Sequence, residues 1–160
     1  MEIKFLNGEI LTIPEESLVG ARLGRLNLHR ALLRGANFQG ACFLGTDLRG
    51  AFMEKADLTG ASCENASFIT TNLEGATLEN VKMQSCRLMA CEFSGAILRS
   101  ADLTGSNIDG AIFDGAQLQN SKMLCEGINL ASFKGAIYSD TTVWPAGFDP
   151  AQAGAKRVCS

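Results

Sequence analysis

From Leu18 to Val143, every fifth residue is hydrophobic, and all 26 positions of the series obey the rule, as in Leu33, Phe38, Phe43, Leu48, Met53 and Leu58. With 46% of residues in that class, chance alone produces the series with a probability on the order of 10⁻⁹, so the period is a design feature of the chain. Two residues before each member lies a second series, in which 22 of 26 positions hold Ala, Ser, Thr or Cys. Two residues after each member Gly recurs, as at Gly35, Gly40, Gly45 and Gly50. The unit is A-x-L-x-G, seen cleanly in Ala56-Asp57-Leu58-Thr59-Gly60. A period of five matches neither the 3.6 of a helix nor the 2.0 of a long strand. It fits a short extended piece with two inward side chains, one large and one small, followed by a corner where Gly tolerates the backbone angles. On this reading no insertion breaks the frame, and Val143 points inward like the rest of its series.

These quintets resemble the pentapeptide-repeat family, over roughly residues 16–145. The resemblance implies an all-β fold, a right-handed quadrilateral parallel β-helix in which four quintets close one coil of 20 residues. It supplies the number four, which the spacing alone does not give. About 6.5 coils then stack at about 4.8 Å each. Residues 20 apart share a column, so one interior column reads Leu33, Met53, Leu73, Phe93, Phe113, Phe133, beside a small column Ala31, Ala51, Thr71, Cys91, Ala111, Ala131.

Both ends leave the repeat, as the exposed edges of a stacked solenoid require. Residues 1–15 predict an N-terminal β-hairpin cap, since two β-prone runs flank Asn7-Gly8. Residues 146–160 predict a C-terminal cap and tail. Trp144 and Phe148 lie over the last coil, and Ala151 to Val158 are expected to form a short helical cap.

The net charge of −3 over 160 residues gives no reason to expect direct nucleic-acid or membrane binding. There is no signal segment and no apolar run of membrane-spanning length, so a soluble cytoplasmic protein is expected. Cys42, Cys63, Cys86, Cys91, Cys125 and Cys159 include no CxxC pair and are read as reduced thiols. Cys63, Cys86 and Cys91 fall at inward positions and behave as small hydrophobes, too few in ligand-bearing company for a metal site. Glu126 falls on the inward small series and is followed by Gly127. A local bulge that turns Glu126 outward is favoured over a buried carboxylate partnered by Ser106. His29 lies outward among Arg22, Arg25, Arg30 and Arg34, and reads as part of a solvated basic face rather than an anion or partner site. No nucleophile, base or acid is brought beside it, and the recurring glycines are corners rather than phosphate loops. No catalytic residue, cofactor or metal is expected.

Function then falls to the outside of the rod. Leu32 and Phe52 share an outward column with Ile112, and Glu54, Glu74, Glu92 and Asp114 fall on one face as a modest acidic stripe. These ladders either stabilise the wall by stacking or form a contact patch. Leu32, Phe52, Glu54, Glu74, Glu92, Asp114 and Trp144 make up the candidate interaction surface of a non-catalytic structural or protein-interaction scaffold, whose partner is another protein. A homodimer through a capped end is a further expectation, resting on Trp144 and Phe148. The resemblance implies an alternative, since some members of the family mimic B-form DNA and bind DNA gyrase, protecting it from quinolones. From Glu54 to Asp114 nine acids face four bases, a thin stripe beside the one charge per about 1.7 Å of duplex DNA.

Overall fold

A computed structural model describes residues 1–159. Its body is a ladder of short parallel bridges at a constant offset of 20 residues, for example Arg22 to Cys42 to Ser62 to Lys82 to Asp102 to Lys122. A corner recurs every five residues, so successive short walls run along each 20-residue coil. On each wall the large inward residue donates its N–H to the next coil, as Leu58 does to the Thr77 carbonyl at 2.7 Å. The outward residue before it donates back, as Asp57 does to the Ala36 carbonyl at 2.9 Å.

The corner is a tight turn closed by the small residue, whose N–H reaches the preceding large residue's carbonyl; Ala61 to Leu58 at 2.9 Å is typical. Its geometry demands a left-handed backbone at the third position, and every corner from Gly20 to Asn120 has φ between 52° and 73°. Glycine enters this region freely. Thr70, β-branched and held at φ 55°, does so under strain.

The two inward series fill the bore. Leu23, Leu28, Phe38, Phe43, Leu48 and their successors are fully buried, and the small series packs beside them. The predicted column stands, with Phe93, Phe113 and Phe133 stacked at centroid distances of 4.7 and 5.2 Å. The buried hydroxyls Thr46, Thr71 and Ser106 of the small series find carbonyls 23 residues earlier, on Leu23, Leu48 and Met83, while Ser121 turns to the Leu118 carbonyl of its own corner. Buried polar groups therefore cost little.

Strand β1 (Glu2–Lys4) pairs antiparallel with β2 (Ile10–Thr12). The turn carries Gly8 at φ 88°, and the Asn7 side chain accepts the Glu9 N–H. Ile3 and Ile13 are buried at the mouth of the bore, while Phe5 bridges Ala31.

Three sequence expectations give way at the other end. First, the corner after Met123 is one residue short. Cys125 takes the small inward place, its N–H closing on the Met123 carbonyl at 2.8 Å and its thiol on the Leu103 carbonyl at 3.4 Å. Glu126 then pairs beside Asn107 and is exposed, as the favoured outward reading held, but through a shortened corner rather than an inserted residue at that point. The missing residue is returned by Gly127 (φ 73°) and a 3₁₀ turn, Ile128–Leu130, which restores the frame at Phe133. Second, one residue is added near Ser139 to Thr142, so Thr142 is buried, Val143 faces outward at 43% exposure, and Trp144 takes the large inward place. Third, the C-terminal segment is not helical. After turns over 150–154, strand β4 (Lys156–Arg157) pairs parallel with β3 (Ile137–Tyr138) and continues the ladder. Trp144 and Phe148 do cover the last coil, each meeting Phe133 edge to face, at 5.5 and 5.6 Å.

Candidate interaction surface

Six of the seven candidate residues lie on one wall. Bridges link Leu32, Phe52, Asn72, Glu92, Ile112 and Ser132 in sequence, and Arg34, Glu54, Glu74 and Asp114 lie two residues along from members of this line. Trp144 stands apart, half-buried at the C-terminal end.

The wall is less acidic than its composition. Glu54 receives Arg34 through two contacts, Nη2 to Oε1 at 2.9 Å and Nε to Oε2 at 3.0 Å, and the Asn72 amide donates to Oε1 at 3.0 Å. The same guanidinium lies 5.3 Å from the centre of the Phe52 ring. One arginine thus neutralises an acid and roofs an aromatic. Glu92 turns its carboxylate onto the Ser94 N–H at 2.9 Å, and Asp114 accepts from the Ser132 hydroxyl at 2.6 Å and the Lys134 N–H at 3.0 Å. Glu74 is the exposed acid of the group, its own N–H held by Asn72. The Arg34–Glu54–Phe52 interlock went unread in the sequence, although the offset of 20 between Arg34 and Glu54 signals it.

Elsewhere the acids serve the coil. The Arg49 side chain, at 2.6 and 2.8 Å, holds the Asp47 carboxyl below its ordinary range. At Asp57 and Asp102, burial pushes upward, but hydrogen bonds from Thr59 and Gln39 at the first, and from Thr104 and Lys122 at the second, leave both carboxyls lowered. Cys63, Cys86, Cys91 and Cys125 are buried; burial raises Cys63 and Cys91 well above the usual thiol range and pushes Cys86 and Cys125 up to about 12. Cys42 is half-buried and Cys159 exposed. His29 is exposed on a wall with Asp47 and Arg49 one coil on. Among the described residues, no cluster of three metal-ligating side chains occurs, and no helix is long and apolar enough to cross a membrane.

A family model described as pentapeptide repeats matches in eight copies over residues 17–54, 53–84 and 86–123. No curated protein matches. Among solved structures, the chain is similar to QnrB1, a plasmid-mediated fluoroquinolone resistance protein, at 18% identity and a TM-score of 0.54, over 89% of this chain and 78% of that one. It also matches the pentapeptide repeat protein Rfr23 of the cyanobacterium Cyanothece 51142 at 22% identity and a TM-score of 0.42, over 81% and 88%. A third match is a pentapeptide repeat protein of the Arabidopsis thaliana thylakoid lumen, at 26% identity and a TM-score of 0.31, over 71% and 66%. At these identities the likeness concerns the fold, and with most of the chain matched by the family model and bonded at a 20-residue offset, this chain belongs to the pentapeptide repeat family.

Proposed function

We propose that this protein is a non-catalytic scaffold that binds another protein through the wall carrying Leu32, Phe52, Glu54, Glu74, Glu92 and Asp114. In this reading a right-handed quadrilateral β-helix over residues 16–145 is the rigid body, residues 1–15 cap one end, and residues 146–160 cap the other. The observation that carries it is the filled bore. Large side chains from 23 to 133 occupy the axis almost without exposure, so recognition falls to the outside, where Leu32 at 43% and Ile112 at 37% present apolar surface beside Glu74. Cross-linking and affinity capture with wild-type protein, Phe52→Glu and Lys82→Glu test it. A partner lost with Phe52→Glu and kept with Lys82→Glu, which lies on a different wall, supports the reading. Equal capture by all three refutes it.

The fold shared with a fluoroquinolone resistance protein favours a second reading, in which the wall imitates DNA for gyrase. Its weakness is electrostatic, because Arg34 cancels Glu54. Gyrase supercoiling with micromolar protein, with and without ciprofloxacin, decides it; neither inhibition nor protection removes this reading and leaves the scaffold reading standing.

A further inference from the structure

The first coil is stacked on one side only. On an interior wall such as Asp47 to Arg49, three backbone groups face the N-terminal neighbour. The Asp47 N–H donates to the Leu26 carbonyl at 3.0 Å, the Asp47 carbonyl accepts from Leu28 at 2.7 Å, and the Arg49 carbonyl accepts from Arg30 at 2.9 Å. The counterparts in the first coil are the Asn27 N–H, the Asn27 carbonyl and the His29 carbonyl. None of them has a protein partner among the described residues. The hairpin closes only the adjoining wall, through Leu32 N–H to the Lys4 carbonyl at 2.8 Å and Leu6 N–H to the Arg30 carbonyl at 3.2 Å. Between the hairpin loop at Leu6, Asn7 and Glu9 and the coil at Asn27, His29 and Arg30 lies an open cleft of about 450 Å³. An open strand edge bordering a cleft is a template for one more strand.

Charge selects the occupant. Glu9 is the acid lining the cleft, on its hairpin side, whereas on the coil side no acid occurs between residues 17 and 46, and Arg22, Arg25 and Arg30 are exposed there. These three form no ion pair among the described residues, whereas Arg34 and Arg49 do. The stems of Arg25 and Arg30 lie over the corners at Gly45 and Gly50, where a side chain would meet them. A second copy meeting edge to edge would set these arginines against one another. We propose that the Asn27 to His29 edge binds an extended acidic segment of another protein, which adds as a strand while its carboxylates meet Arg22, Arg25 and Arg30. This edge is separate from the outer wall, so either reading can fail alone.

The probe is a fluorescein-labelled, acetylated octapeptide of alternating Val and Glu, followed by anisotropy at low salt. Saturable binding is expected, weakened at least about tenfold by N-methylation of alternate peptide amides, by Arg25→Glu/Arg30→Glu, and by Asn27→Pro. Proline is chosen because the Asn27 N–H makes no bond that would be lost. Thermal unfolding checks that variant; if it fails to fold, the N-methylated peptide against wild-type protein decides. Affinity that is indifferent to N-methylation, a Val and Lys peptide binding as well as the acidic one, or no binding at all would overturn the proposal. So would a dimer of the wild type abolished by Asn27→Pro, which would give the edge to a second copy.

Discussion

Four thiols sealed in the bore make the protein fragile to alkali by a calculable amount. Cys63, Cys86, Cys91 and Cys125 have raised pKa values in the folded chain, with Cys86 and Cys125 at about 12, because burial penalises the thiolate. In the unfolded chain each returns to about 8.5 to 9. A raised folded pKa contributes fully below the unfolded value and is lost as pH climbs toward the folded one, since the unfolded state alone releases the proton. Between about pH 9 and 12 each thiol therefore costs about 1.4 kcal/mol per pH unit, and four together cost about 5 to 6. Against a domain stability of about 5–15 kcal/mol, that unfolds the protein within one to three units above pH 9. Urea titrations in reducing buffer from pH 7.5 to 10.5, read by circular dichroism, measure the slope directly. Cys86→Ala/Cys91→Ala restores the residue most common in the small series and is expected to halve the thiol contribution. Equal alkaline slopes for wild type and the double variant would refute the burial argument.

Leu73→Ala, at a fully buried position, is expected to lose about 2–5 kcal/mol in chemical denaturation through the cavity it leaves. Ala76→Leu, also fully buried, is expected to lose about 1–3 kcal/mol by overpacking. Thr70→Gly relieves a β-branched residue at φ 55° and is expected to gain about 0.5–1 kcal/mol, seen as a higher melting temperature. The lowered carboxyls of Asp47, Asp57 and Asp102 contribute above their ordinary range near pH 4, so stability is expected to fall as pH drops below that point. Asp57→Asn is expected to make the acid limb shallower.

The interior was readable because inward and outward phases are fixed by counting. Leu33 to Phe113 occupy one column with no adjustment, and Thr71 sits among alanines because its hydroxyl finds the Leu48 carbonyl. The slip at Cys125 was concealed because one lost residue is repaid before Phe133, leaving the count intact. The addition near Ser139 was concealed for another reason: Val143 and Trp144 are both hydrophobic, so either satisfies the series. The helical expectation for Ala151 to Val158 failed where the open edge at Ile137–Tyr138 offered Lys156–Arg157 better hydrogen bonds than a short isolated helix. On the candidate wall, the line from Leu32 to Ile112 was legible as multiples of 20. The partial loss of acidic character was not, since it depends on the Arg34 side chain folding onto Glu54.

Because the coils from Arg22 to Lys122 bond to one another at a 20-residue offset, axial length is a separate variable from the chemistry of either terminus. Duplicating one such unit would move the arginine-rich mouth and the Trp144 lid about 4.8 Å farther apart while leaving both unchanged. The molecule is a ruler whose graduations can be added or removed one at a time.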